Sequence, residues 1–88
     1  MPLYLVERHL PGMTMSELAA LRQAEQRACA QSVAQGKPVR YVRSTFAPGE
    51  SRCQCLFEAP NADVVQEVND MAQIPYSRIV LAVDLAAD

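Results

Sequence analysis

The sequence predicts one small α+β domain whose elements follow the order strand, helix, strand, strand, helix, strand. Three observations carry this prediction. Four short runs alternate apolar and polar residues, two longer stretches repeat apolar residues at helical spacing, and clusters of Pro, Gly and Asn separate these segments. The chain has 88 residues, of which 50% are hydrophobic. This suffices for a single domain over residues 1–88 with one core.

The N-terminal half predicts a strand and then a helix. Leu3 to His9 alternates as a strand should, with Tyr4, Val6 and Arg8 on one face and Leu3, Leu5 and Glu7 on the other. Thr14 and Glu17 have the spacing of a capping box, which predicts a helix beginning at Met15. Its apolar face consists of Leu18, Leu21, Ala24 or Glu25, Ala28 and Cys29, and Gly36 and Pro38 stop it.

The C-terminal half predicts a hairpin, a second helix and a last strand. Val39 to Phe46 and Arg52 to Glu58 are rich in strand-forming residues, and a Pro-Gly turn joins them. Asn61 is a good helix N-cap. The final strand is expected over Arg78 to Asp84, followed by a frayed tail at 86–88.

This element order corresponds to a ferredoxin-like βαββαβ fold. Right-handed crossovers would place both helices on one face of a four-stranded antiparallel sheet. The opposite face would be bare, yet the strands are apolar on both sides of the pleat, which is typical of strands covered twice. A second subunit lying across that face would also relieve the small size of the core, so we expect a homodimer.

Composition narrows the classes of partner and location. Eight Lys and Arg against ten Asp and Glu give a net charge of −2, so no basic surface for nucleic acid is expected. No segment approaches the length of a transmembrane helix, so no membrane partner is expected. The three cysteines are an odd number, and Cys53 and Cys55 would point the same way from one strand. We therefore expect no disulfide framework and a cytoplasmic location.

Polar strand residues are the remaining candidates for chemistry, because phosphate loops, CxxC pairs and HExxH motifs are absent. His9 could serve as a base or a metal ligand, and Cys53 and Cys55 could supply thiolates to a soft metal. The alternative is that His9 is an ordinary strand-end residue and that both cysteines pack as small hydrophobes.

The pattern of charged residues on the strands predicts surface ion pairs and not one shared binding or catalytic site. Arg40 and Arg43 have odd spacing and should lie on opposite faces of their strand unless a bulge intervenes. Glu7 and Glu58 are expected far apart, pairing with Arg8, Arg43 or Arg52 at the surface.

Several segments together resemble the DUF4242 family. They are Tyr4 to Arg8, the helix start at Thr14, the hairpin strand Val39 to Ser44, the run Cys55 to Ala62, and the Ile74-Pro75 turn. The resemblance implies a dimeric α/β barrel of ferredoxin-like domains, with nickel binding in some members. It matches Cys55 to a family cysteine and Glu58 to a glutamate. Family histidine positions are occupied here by Arg43 or a neighbour and by Asn69.

Three hypotheses stay open from the sequence, and none establishes an enzyme. The first is a protein that binds nickel or another transition metal through His9, Cys53, Cys55 and Glu58. The second is a barrel-like dimer that takes a small organic molecule, for isomerisation or oxygen-dependent chemistry, with Glu7, Arg40, Tyr41 and Arg43 around it. The third is a dimeric interaction module without a ligand.

Overall fold

The computed structural model describes residues 1–85, and it confirms the predicted ferredoxin-like α+β fold. The strands are β1 (Leu3–His9), β2 (Arg40–Ala47), β3 (Arg52–Glu58) and β4 (Arg78–Ala82), and the helices are α1 (Met15–Ala34) and α2 (Ala62–Ala72). A short 3-10 turn at Pro48–Glu50 joins β2 to β3. The tail expected at 86–88 lies outside the described residues.

The four strands form one antiparallel sheet in the order β2-β3-β1-β4. Leu3 pairs with Glu58 and His9 with Arg52 across β1 and β3, and Leu3 pairs with Ala82 across β1 and β4. The two helices pack on one face of this sheet, which we call the covered face. No element within residues 1–85 covers the opposite face, which we call the open face.

Both helices begin where the local signals in the sequence predict. The hydroxyl of Thr14 accepts a hydrogen bond from the Glu17 amide, and the Glu17 carboxylate accepts one from the Thr14 amide, both at 3.1 Å. The Asn61 carboxamide caps α2 by accepting from the Val64 amide at 3.1 Å. Both helices therefore satisfy part of their orphan donors with neighbouring side chains.

The core lies between the covered face and the helices. Its centre consists of the apolar residues that are no more than 1% exposed, namely Val6, Cys53, Cys55, Phe57, Ala59, Val65 and Val68. The buried residues of α1 are Leu21, Glu25, Ala28, Cys29 and Ser32. Two polar groups, Glu25 and Ser32, thus occupy the buried stripe of α1.

The strands differ from the sequence prediction in two of their bounds and in one pairing. β2 spans Arg40–Ala47 and not Val39 to Phe46. β4 ends at Ala82 and not at Asp84. In β2 the pairing with β3 shifts between Tyr41 and Arg43, so a bulge at Val42 interrupts the strict alternation. Arg40 and Arg43, expected on opposite faces, therefore both lie on the open face, opposite Glu58 and Leu56.

Candidate functional site

The residues proposed from the sequence as one metal site lie on two faces of the sheet. Cys53 and Cys55 are on the covered face, whereas His9 and Glu58 are on the open face, near opposite ends of the β1–β3 pairing. The proposed small-molecule residues are divided in the same way, because Tyr41 lies on the covered face and Glu7, Arg40 and Arg43 lie on the open face. Neither set is brought together within one chain.

The open face carries surface ion pairs. Arg40 donates to Glu58 at 3.4 Å, and Arg43 donates to Asp84 at 2.7 Å. Glu7 pairs with Arg78, whose hydrogen bond holds the pKa of the Glu7 carboxyl below its usual range. The predicted pairing of Glu7 and Glu58 at the surface thus occurs, but with Arg78 and Arg40 as partners. Arg43 and Arg52 pair with Asp84 and Glu50 instead.

The covered face carries a pair of free thiols. Cys53 and Cys55 point the same way from β3, as predicted, and their Sγ atoms are 3.8 Å apart. The two residues are 1% and 0% exposed. A contact at that distance is well beyond a disulfide bond, so the two sulfurs are adjacent but not joined.

A chain of hydroxyl groups reaches the Cys55 sulfur from β2. Ser44 pairs with Cys55 across the strands, and its hydroxyl donates to the Cys55 Sγ at 2.9 Å. The Tyr41 hydroxyl shares a hydrogen bond with that of Ser44. The Tyr41 ring packs against Phe57 with ring centroids 5.3 Å apart, and this contact holds the Tyr41 hydroxyl at the start of the hydrogen-bonded series.

The Arg8 side chain links strand β1 to both helices. Its guanidinium donates to the Glu25 carboxylate on α1 at 2.5 Å and to the Asn69 carboxamide on α2 at 2.7 Å. It also donates to the Pro75 carbonyl at 3.3 Å. The Arg8 and Glu25 side chains are 0% exposed, so this is a fully buried ion pair. Such a pair must be held by geometry because desolvation opposes it.

Sequence reasoning missed this buried ion pair. It treated Arg8 as a surface partner for Glu7 or Glu58, and it gave Glu25 only as an alternative to Ala24 on the apolar stripe. The signal was present: Arg8 alternates in phase with Tyr4 and Val6, and Glu25 falls at the helical spacing of the buried residues.

The charged groups around the thiols set their protonation. The hydrogen bond from Cys53 lowers the pKa of Cys55 to about 6, against the opposing effect of burial, and Arg8 and Ser44 lower it further. The same hydrogen bond, with burial, raises the pKa of Cys53. Of the two thiols, Cys55 is therefore the one whose ionisation the surroundings favour.

Glu25 and Cys29 are also buried, but their pKa values are raised, whereas that of Cys55 is lowered. Burial raises the pKa of Glu25 to about 7, and the attraction of Arg8 offsets only part of this effect. Burial also raises the pKa of the Cys29 thiol to about 11. Cys29 is thus an inert buried thiol, in contrast to the Cys53–Cys55 pair.

Two atoms of the buried ion pair have no hydrogen-bond partner among residues 1–85: Arg8 Nε and Glu25 Oε2. A buried polar atom without a partner is rare and destabilising. Arg8 lowers the pKa of Cys55, and the charge of Cys55 raises the pKa of Glu25, so this part of the core is organised around polar groups and not around apolar packing alone.

The geometry of the two sulfurs suits a metal ion, although the surroundings supply few further ligands. Sulfurs that lie about 2.3 Å from one ion at a tetrahedral angle are about 3.8 Å apart. That is the separation found between Cys53 and Cys55. Among residues 1–85, no group of three or more His, Cys, Asp or Glu side chains could hold a metal ion.

A groove of about 620 Å³ lies between α1 and β2 and reaches the thiol pair. Its wall includes Tyr41, Ser44, Phe46 and Cys53, and Arg43 also borders it. Cys53, but not Cys55, is among the residues that line this groove.

Fold and site together define a ferredoxin-like domain with a buried thiol pair beneath its helices. Comparison with known proteins places the chain in a family: residues 4–81 match the nickel responsive protein SCO4226-like family, and the chain belongs to it. A crystal structure of SCO4226 from Streptomyces coelicolor A3(2) superposes with a TM-score of 0.75. The two chains share 24% sequence identity over 97% of this chain and 99% of the other, a likeness that concerns the fold.

A search of curated proteins gave no match. Within residues 1–85, neither helix has the length and apolar character needed to cross a membrane.

Proposed function

We propose that this protein binds a transition-metal ion through the Cys53–Cys55 thiol pair. The observation that carries the proposal is the 3.8 Å separation of two sulfurs on one strand, which matches two ligands of a single ion. Thiolates are ligands of soft and borderline transition metals.

Family membership supports a metal-related role. The family is described as nickel responsive, and the chain matches it over residues 4–81. The family description therefore suggests nickel as the first ion to try. Within that family, we keep the DUF4242 assignment and a cytoplasmic location as predictions.

The protonation of the pair favours metal binding. A thiol must lose its proton to ligate a metal, and the lowered pKa of Cys55, about 6, provides one thiolate at neutral pH. Only the proton on Cys53 remains to be displaced by the incoming ion. Ser44 fixes the Cys55 sulfur with its hydrogen bond at 2.9 Å, which orients the ligand before the metal arrives.

The test uses the full chain without a histidine tag, reduced and loaded separately with nickel(II), cobalt(II) and zinc(II). Nickel and cobalt bound by sulfur should show thiolate-to-metal charge-transfer absorption. Cys53→Ser and Cys55→Ser should each abolish it, and Cys29→Ser, which removes a buried thiol from the facing helix, should leave it intact. Unchanged absorption in the Cys53→Ser/Cys55→Ser double variant would refute the site.

The groove supports a second candidate function, the binding of a small organic acid. Its apolar wall contains Leu18, Tyr41 and Phe46, and Arg22 supplies positive charge along it. Pockets that combine apolar walls with a few polar groups are the usual sites for small molecules. Fluorescence of the tyrosines during titration with small aromatic carboxylates, repeated with Phe46→Ala, would test it. Binding that Phe46→Ala does not weaken would exclude the groove.

We also propose a homodimer formed across the open face. Its apolar part comprises Leu3, Leu5, Leu56, Val80 and Ala82, flanked by charges of both signs. A surface of mixed charge can pair with a second copy of itself around a two-fold axis. Analytical ultracentrifugation at micromolar concentration should give a dimer, and Leu5→Glu should give a monomer. A monomeric wild-type chain would contradict this arrangement.

A further inference from the structure

The thiol pair offers an unusual ligand set, because it has two sulfurs and little else. We infer that the Cys53–Cys55 pair selects a soft monovalent ion, copper(I), over nickel(II) and zinc(II). The inference rests on the proposed metal-binding function and names the class of ion that the pair prefers.

The number of ligands is the first argument. Zinc(II) sites in proteins are almost always four-coordinate, and nickel(II) commonly takes square-planar or tetragonal sites built from nitrogen and oxygen ligands. Residues 1–85 supply no third His, Cys, Asp or Glu that completes such a set around the pair. His9, the single histidine, lies on the open face. A copper(I) ion, by contrast, takes as few as two or three ligands, and at a three-coordinate angle of about 120° two sulfurs about 2.3 Å from one ion are about 4 Å apart, close to the 3.8 Å found.

Burial is the second argument. Divalent ions with too few protein ligands complete their coordination with water, but Cys53 and Cys55 are 1% and 0% exposed. The hydroxyls of Ser44 and Tyr41 are the nearest polar groups identified on the β2 side of Cys55, and neither is a strong ligand for these ions. A dry pair of sulfurs therefore favours the ion that needs the fewest additional ligands.

The softness of the ligands agrees with these two arguments. Thiolates select copper(I) among first-row ions, whereas nickel(II) is better served by imidazole. On binding, Cys53 and Cys55 each form a bond to copper, the Cys53 proton is released to solvent, and no change of oxidation state occurs. The groove that Cys53 helps to line provides the entry path.

The experiment is a metal exchange on the intact, reduced chain under argon. Protein loaded with nickel(II) or zinc(II) receives one equivalent of copper(I), and the released divalent ion is measured with a chromophoric indicator. Copper(I) affinity is measured separately by competition with bicinchoninate. We expect copper(I) to displace either ion one for one. We also expect Cys55→Ser to weaken copper(I) by more than the roughly 10- to 100-fold that loss of an outer partner causes.

The controls separate this inference from the proposed function. Cys29→Ser should bind copper(I) like the wild type, and circular dichroism should confirm that each variant is folded. Retention of nickel(II) or zinc(II) at the two cysteines against copper(I) would overturn the inference and leave the proposed function standing. No thiolate-bound metal of any kind would overturn both. Equal copper(I) affinity in the Cys53→Ser/Cys55→Ser double variant would place the ion elsewhere and overturn the inference.

Discussion

The two faces of the sheet use charge in opposite ways. On the covered face, Arg8 and Glu25 form an ion pair with both side chains 0% exposed, beside two buried thiols. On the open face, Arg43 and Asp84 form an ion pair of similar length, but their side chains are 54% and 43% exposed. An arginine–carboxylate ion pair thus holds the core and the thiol site together on the covered face, whereas solvent screens the equivalent pair on the open face. Burial, more than distance, decides what a charge does here.

The largest contrast should appear when each ion pair is broken. Arg8→Ala would leave the Glu25 carboxylate buried without its partner, and removing one partner of a buried pair destabilises a protein by about 3–5 kcal/mol. The matched variant Arg43→Ala should leave the free energy of unfolding nearly unchanged. Urea denaturation of both variants at pH 8, above the Glu25 pKa of about 7, measures the difference. Equal loss in both would show that the two faces do not differ in this way.

The double variant Arg8→Met/Glu25→Leu sharpens the same comparison. Replacing both members of a buried ion pair with apolar residues of similar volume is often neutral or stabilising. We expect its stability to be well above that of Arg8→Ala and close to that of the wild type. A double variant as unstable as Arg8→Ala would mean that Asn69 and Pro75, the other partners of Arg8, account for its contribution.

The pH dependence of stability should depend on Glu25. Burial raises its folded pKa to about 7 from 4.5, so the folded state holds the proton that the unfolded state releases. Stability from this group is fully present below pH 4.5 and is lost as the pH rises through about 7. The loss is at most about 3 kcal/mol.

The measurement for Glu25 is urea unfolding of the wild type and Glu25→Gln between pH 4.5 and 6. Groups that titrate in both proteins, such as Cys55 with its pKa of about 6, cancel in this comparison, whereas Glu25 titrates only in the wild type. The wild type should lose stability relative to Glu25→Gln as the pH rises. A constant difference across the window would contradict a raised Glu25 pKa.

The thiolate at Cys55 should depend on its strand neighbour. Ultraviolet absorbance should show one thiolate per chain forming around pH 6, and Ser44→Ala should move this transition to higher pH because the hydrogen bond to Cys55 is lost. Thr45→Ala, one residue along on the open face, is the matched control and should not move it. A transition unaffected by Ser44→Ala would exclude Ser44 as a stabilising donor.

The smallest effects are expected from the open-face residues that the sequence suggested as ligands. His9→Ala and Glu58→Gln should leave the metal affinity of the full chain unchanged, since both residues lie on the face opposite the thiol pair. Metal affinity is measured by the same competition titration used for the cysteine variants. Loss of metal in either variant would show that a second subunit brings these residues to the ion.

The fold was predictable from the sequence because each element carries a strong local signal. The alternation of β1, the capping box at Thr14 and the N-cap Asn61 are local patterns that mark where these elements lie. The bulge at Val42 was not predictable, because nothing in the alternation of β2 marks the extra residue. Because the prediction used strict alternation without this bulge, it assigned Arg40 and Arg43 to opposite faces of the strand.

The site was predictable only in part. Cys53 and Cys55 follow from strand alternation alone, so their shared direction was foreseen. The ion pair between Arg8 and Glu25 joins residues 17 positions apart in the chain, and Asn69 lies 61 positions from Arg8. Such contacts depend on how the helices pack on the sheet, which residue spacing does not specify.

X-ray absorption at the metal edge of the loaded full chain tests the central claim most directly. We predict two sulfur neighbours at about 2.3 Å in the wild type and in Cys29→Ser, and fewer in Cys55→Ser. A metal surrounded only by nitrogen and oxygen in the wild type would contradict a role for the thiol pair.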